Sequence, residues 1–307
     1  MEYTEQKRLY DAACKKVLAE KGIIANILKY CTTEFADVSI ADICNKYLQE
    51  KPIIGNITVE PADITSLQGA ANEDNSLAEG KIYYDIRFTA IVPNDKDIVE
   101  LIINIEAQNN FNPGYPLLKR SIYYGSRLIS GQYGSVFTKS HYEKIQKVYS
   151  IWICTEPTKS WEYSITKYSM QESNIVGIAH APVADYDLMT IVFVCLGHKS
   201  YTELTGLLKI LNLMFIDRIA DKNSLSVLKD EFAVSLTPSL EKGVKEMCNL
   251  SEGVEKRGIE KGQRDSLLSV ALEMLRDKMP LKLIEKYSRL SAAEIRKLAK
   301  DNGISIV

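Results

Sequence analysis

Asp85 and Glu106 are the residues of this chain whose types and spacing could do chemistry together. They sit in the two arms of YYDIRFTAIVPNDKDIVELIINIEAQ, residues 83 to 108, and both arms alternate as half-buried strands do. In the first arm Ile82, Tyr84, Ile86, Phe88 and Ala90 share one face, and Asp85, Arg87 and Thr89 share the other. In the second arm Leu101, Ile103, Ile105 and Ala107 oppose Ile102, Asn104, Glu106 and Gln108. A turn centred on Asp95-Lys96 makes opposed positions sum to 191, which pairs Ile86 with Ile105, Arg87 with Asn104 and Asp85 with Glu106. A slip of one residue would turn the aliphatic set to water, so this register is well specified. Opposed Cβ atoms lie roughly 5 Å apart. Two carboxylates that close repel each other unless a proton or a cation sits between them. Oxygen-only donors suit Mg²⁺ or Mn²⁺ rather than zinc. The spacing therefore predicts a divalent-metal site, against the plainer alternative of a hairpin with one solvated, acidic face.

A helix is expected from about 117 to 130, between Pro116 and Gly131. On it Arg120, Tyr124 and Arg127 fall at i, i+4 and i+7 and share a face. Two guanidiniums with a phenol between them suit a phosphodiester, because Arg donates bidentately to phosphate oxygens. Leu118, Ile122 and Ile129 are then expected to pack on the sheet. The alternative is an ordinary solvated helix face. Gln108 stands on the Glu106 face, two residues on, where its amide could orient a water molecule.

The elements that must position these residues read as follows. Residues 3 to 50 carry helical spacing, with a second start near Ser39-Ile-Ala-Asp. A short strand is expected around 57 to 59, then a polar loop, the hairpin, and a turn rich in Asn, Pro and Gly. Further strands are expected at 148 to 154, 162 to 169 and 187 to 196. From Tyr201 the pattern turns helical, with a stripe through Leu204, Leu207, Leu208 and Leu211. Residues 251 to 263, SEGVEKRGIEKGQ, read as a weak helix or linker. Beyond them, Met279-Pro280 breaks a helix, another is expected from 281 to 287, and Ser291-Ala-Ala-Glu294 is a capping box that opens the last one. This terminal unit resembles a helix-turn-helix carrying Arg289, Arg296, Lys297 and Lys300, which would suit a major groove. A helical hairpin for packing or a homodimer is the other reading. The boundaries are 1–200 for the sheet-bearing core, 201–250 for a helical extension, 251–263 for the linker and 264–307 for the terminal unit.

Composition bounds the rest. The 307 residues have ordinary apolar and charged fractions for a globular protein, and the formal charge of −2 sets no basic field over the whole chain. Tight non-specific DNA binding would need a local basic surface. Cys14, Cys31, Cys44, Cys154, Cys195 and Cys248 are widely spaced and mostly in apolar surroundings, so free thiols in a reducing, cytoplasmic setting are expected. The three histidines show no ligand spacing. No signal core stands at the N-terminus, the longest apolar run is too short for a bilayer, and no phosphate loop or nucleophile triad is visible.

Strand Asp85, hairpin, strand Glu106-x-Gln108 resembles the core of the PD-(D/E)xK nuclease superfamily, and the wording is closer still to its transposase-like, recombination-promoting branch. The segments that carry the resemblance are YDAACKKVLAEKGIIANILKY, KIYYDIRF, INIEAQNNFNPGYPLLKRSIYYGSRLISGQ, KVYSIWIC and MCNLSEGVEKRGIEKG, which cover most of residues 9 to 263. Tyr84 stands where the family name has Pro, a position with no chemical role. Gln108 stands where it has Lys, as is common in that branch, and an amide supplies no positive charge. The resemblance implies an α/β chain with a restriction-endonuclease-like αβββαβ core, a mixed sheet and an all-helical C-terminal extension. It implies a metal-dependent DNA endonuclease with Mg²⁺ or Mn²⁺ on Asp85, Glu106 and the backbone carbonyl of Ala107, Gln108 to position the water, and no organic cofactor. It also implies an acid from the first helices, for which Glu34, Glu20 and Asp11 compete. A catalytically weak DNA-binding scaffold, and a defence or toxin nuclease acting on RNA or foreign DNA, fit the same residues.

Overall fold

A computed structural model describes residues 3–48, 53–54, 73–76, 80–83, 85–93, 98–108, 111–217 and 222–304, with side chains at 8–48, 85–91, 111–217, 225–247 and 262–304. The chain opens with α1 (Tyr3–Leu18), α2 (Lys21–Cys31) and a single turn, α3 (Ile40–Asp42), that runs on as a π-turn over Ile43–Tyr47. Then come β1 (Ile53–Ile54), β2 (Glu73–Ser76), β3 (Gly80–Tyr83), β4 (Ile86–Pro93), β5 (Ile98–Gln108) and α4 (Leu117–Ser130). They are followed by β6 (Val148–Cys154), β7 (Ser164–Ser169), α5 (Val183–Tyr186), β8 (Met189–Cys195), α6 (Gly206–Phe215) and α7 (Lys222–Asp230). Last are α8 (Pro238–Arg276), α9 (Leu281–Ser288) and α10 (Ala292–Asp301). The chain is mixed α/β. It divides into two compact units, Asp11–Cys248 and a second made of Met1–Tyr10 with Asn249–Val307.

The first unit is built on a six-stranded sheet in the order β1-β4-β5-β6-β8-β7. β1, β4 and β5 run antiparallel in turn, β5, β6 and β8 are parallel, and β7 closes the edge antiparallel to β8. All seven positions of β6 and six of seven in β8 are buried, as central strands covered on both faces must be. One face carries Ile86, Phe88, Ala90, Tyr149, Ile151 and Val192; the other carries Trp152, Cys154, Ile191, Phe193 and Cys195. α4 lies on the second face through Leu117, with Leu118 and Tyr124 beside it. Gly125 allows that approach, since a Cβ there would fall 2.6 Å from Met189 Sδ.

The hairpin register is the one the alternation predicts, Ile86 opposite Ile105 through Pro93 opposite Ile98. Its turn and Tyr84 lie outside the described residues, as does the strand expected at 57 to 59. The first arm is not one strand, however. β3 pairs with β2 in a separate two-stranded sheet, and Asp85 stands in a bend before β4. A second correction concerns α4, where Ile122 is 42% exposed. Leu118 and Ile129 do pack against the core, and Leu117, Ser121, Gly125 and Leu128 complete the buried side. Pro116 takes the N-cap position rather than the first turn.

In the second unit α8 is continuous through 251 to 263, so that stretch is helix rather than an irregular linker, and the boundary between units falls at 248/249. α8 ends before Lys278, which has φ +56. The core here is Ala271, Leu275, Ile284, Leu290, Ile295 and Ala299. The capping box forms, with Ser291 Oγ accepting from the Glu294 amide and the Glu294 carboxylate accepting from the Ser291 amide. Among the described residues no helix is long and apolar enough to cross a membrane. Cys14, Cys31, Cys44, Cys154 and Cys195 are free thiols.

Candidate functional site

Asp85 sits where the sheet ends, one residue before the last hairpin pair, Ile86 with Ile105. Asp85, in the bend, and position 106 each follow directly on that pair. The Asp85 side chain is 18% exposed, and its Oδ1 lies 2.7 Å from Lys15 Nζ, itself 14% exposed. Lys15 comes from the last turn of α1. Its neighbours Cys14, Val17 and Leu18 are buried, so packing of that helix brings the ammonium to the sheet end. A cation thus stands at one of the two predicted carboxylates, and it belongs to the chain itself.

Glu106, Ala107 and Gln108 are placed by backbone register, since the side chains of β5 lie outside the described residues. Position 106 pairs with Trp152 of β6 and position 108 with Cys154. Both therefore fall on the sheet face that α4 covers. Arg120 comes to the same place. Its guanidinium carbon is 5.5 Å from the Trp152 ring and 4.9 Å from that of Tyr124. It donates to Tyr124 Oη at 2.8 Å and to Tyr115 Oη at 2.9 Å. A half-buried guanidinium among three rings has its plane fixed in advance, which is what planar recognition of a phosphate requires. Arg120 and Tyr124 thus gather beside position 106, over a floor in which Trp152 stacks on Phe193.

Arg127 does not join them. It is 3% exposed and donates to Tyr123 Oη at 3.3 Å. It lies beside Leu128, which packs on Val148 at the other end of β6. The i, i+4, i+7 face is real, but its lower end is closed by the sheet.

The chain matches no family model, no curated protein and no solved structure.

Of the three candidate acids from the first helices, Glu34 is committed elsewhere. Its Oε2 accepts from Tyr149 Oη at 2.6 Å and from Thr33 Oγ1 at 3.1 Å, and Lys147 Nζ lies 3.1 Å from Oε1. Lys147 also reaches Asp187 Oδ2 at 2.6 Å. Tyr149 is on the opposite sheet face from position 106. Burial alone would raise the Glu34 carboxyl, but the Tyr149 hydroxyl and the Lys147 charge outweigh it and hold it below its ordinary value. Burial likewise opposes the Lys147 charge, and Asp187, Tyr149 and Glu34 outweigh that and raise it. Burial and Glu34 raise the Tyr149 phenol. Glu20 takes the N-cap position of α2, and Asp11 lies one turn before Lys15 on α1.

Among the described residues no group of three His, Cys, Asp or Glu side chains converges to hold a metal, and Glu106 is outside that set. Lys15, Tyr115 and Trp152 are the residues of this site that sequence reasoning did not single out. Lys15 carried a faint signal, since it stands i+4 from Asp11 and i−3 from Leu18, on the rim of an apolar helix face.

Proposed function

We propose that this chain is a metal-dependent DNA endonuclease of the kind its sequence resembles, hydrolysing phosphodiester bonds at the sheet end that holds Asp85. The observation that carries the reading is the hairpin's last pair, Ile86 with Ile105, which adjoins both Asp85 and position 106, while Arg120 stands over the register neighbour of 106. The finer fold assignment, a restriction-endonuclease-like αβββαβ core, is supported by the order of helix, antiparallel hairpin, α4 and parallel β6. A cytoplasmic location accords with the free thiols.

The donor set is oxygen-only and suits a hard cation. Asp85, Glu106 and the Ala107 carbonyl would hold Mg²⁺ or Mn²⁺. Bound there, such an ion lowers the pKa of a coordinated water and polarises a phosphate oxygen. The chain's own residues divide the remaining work. Lys15 neutralises Asp85 at 2.7 Å when no other cation does. Once displaced it is a mobile ammonium at the site, offering the positive charge that Gln108 lacks. The Gln108 amide orients a water by hydrogen bonding. Arg120, held by Tyr115 and Tyr124, takes the phosphate.

One observation favours a second reading. The Lys15–Asp85 ion pair also satisfies Asp85 with no metal at all, as in a DNA-binding scaffold that keeps the fold but not the activity. A defence or toxin nuclease acting on RNA or foreign DNA would use the same residues. Titration calorimetry with Mn²⁺ separates enzyme from scaffold. The proposal expects one site that Asp85→Asn abolishes, and equal heats from both proteins would reject it.

A further inference from the structure

The terminal unit concentrates charge that the chain as a whole lacks. Against a net of −2 over 307 residues, residues 281 to 301, which span α9 and α10, hold six cations and three carboxylates. One of those carboxylates, Glu294, is spent on the capping box and on Arg264. Ile295 and Ala299 turn into the core, which leaves Ala293, Arg296, Lys297 and Lys300 as an exposed stripe along α10. Arg289 is exposed too, in the three-residue turn between α9 and α10, where its φ of +57 makes it the left-handed cap of α9.

We propose that α10 docks in the major groove of duplex DNA, with Arg296, Lys297 and Lys300 on the phosphates and Arg289 on the backbone beside the turn. An α-helix with its side chains is about 10–12 Å across, which fits a groove about 12 Å wide. Small Ala293 at the leading end lets the helix axis approach the bases. The stripe has no large apolar side chain, so it offers a membrane nothing to insert. Two of its three cations are lysines, which bind phosphate as point charges, so contact is with the backbone and tolerant of sequence. This surface belongs to the second unit, whereas the sheet-end site belongs to the first, and it does not depend on the nuclease reading.

The test is fluorescence anisotropy of the full chain with a duplex of about 20 base pairs, in EDTA so that no cleavage can occur. It compares wild type with Arg296→Gln/Lys297→Gln/Lys300→Gln across salt concentrations. Three lost phosphate contacts should flatten the slope of log affinity against log salt by about 2.7. Wild type should therefore lose roughly 40-fold more affinity than the variant between about 50 and 200 mM salt. The substituted residues are exposed, and an unchanged circular dichroism spectrum shows that the unit stays folded. An unchanged slope overturns the proposal. It is equally overturned if the slope holds while Leu283→Ser/Tyr287→Ser, at the exposed apolar pair of α9, halves the mass in solution. The unit would then be a dimerisation hairpin.

Discussion

Replacing Lys147 with Met strips the ammonium from between Glu34 and Asp187. The three side chains are 14%, 21% and 20% exposed, with contacts of 3.1 and 2.6 Å. An exposed pair contributes about 0–1 kcal/mol, whereas breaking a fully buried one costs about 3–5 kcal/mol. A cluster some four-fifths buried falls between, so Lys147→Met should cost about 2–3 kcal/mol at pH 7. For a unit spanning Asp11–Cys248 that corresponds to a loss of roughly 5–10 °C in Tm. Both tryptophans, Trp152 and Trp161, lie in that unit, so their fluorescence follows its unfolding and not that of the terminal helices. The pH dependence carries a sign. Glu34 is held below its ordinary value of 4.5 in the folded chain, so its contribution is present above that value and is lost as pH falls through the folded pKa. Lys147 is raised, so its contribution is complete below 10.5 and is lost only in strong alkali. The cost of Lys147→Met should therefore shrink from pH 7 to pH 4, as the stranded Glu34 takes up a proton. It should also be partly recovered by adding Glu34→Gln. A cost under about 0.5 kcal/mol, or one independent of pH between 4 and 8, would refute the reasoning.

Three further outcomes are expected. Lys15→Met leaves Asp85 without its ammonium, so in EDTA it should melt lower than wild type, and millimolar Mg²⁺ should raise its Tm more than wild type's, by mass action on the folded site. Identical Mg²⁺ shifts in the two proteins would argue against a shared cation position. Arg120→Lys keeps the charge but loses the fork held by Tyr115 and Tyr124, and should lower kcat/KM on a short duplex about tenfold; unchanged kinetics would remove Arg120 from the site. Ser291→Ala breaks the capping box and should cost about 1 kcal/mol, read as roughly fivefold faster hydrogen exchange of the first α10 amides.

Much of the sheet was legible because its signals are local. Period-2 alternation sets the β4–β5 register, and a run of apolar residues marks β6. The capping box at Ser291 is likewise written in four consecutive residues. What was not legible depends on packing between distant segments. Nothing in KIYYDIRF says that β3 leaves for a different partner strand and bends the chain at Asp85. The i, i+4, i+7 face of Arg120 and Arg127 does not say which of its ends the sheet will close, and only Arg120 remains half-open. Nor does spacing reveal Lys15, which meets Asp85 across seventy residues of chain. Glu34 was visible as an acid at a helix end, but its capture by Tyr149 and Lys147 is a tertiary fact.

The central claim, that the sheet end holding Asp85 cuts DNA with the help of a divalent metal, is tested most directly by nicking of supercoiled plasmid. The full chain is incubated with Mg²⁺, with Mn²⁺ and with EDTA, beside Asp85→Ala prepared in the same way. The account predicts open-circular product with either metal, none in EDTA and none from the variant. Nicking by Asp85→Ala at the wild-type rate, or intact plasmid from wild type with both metals, would contradict it.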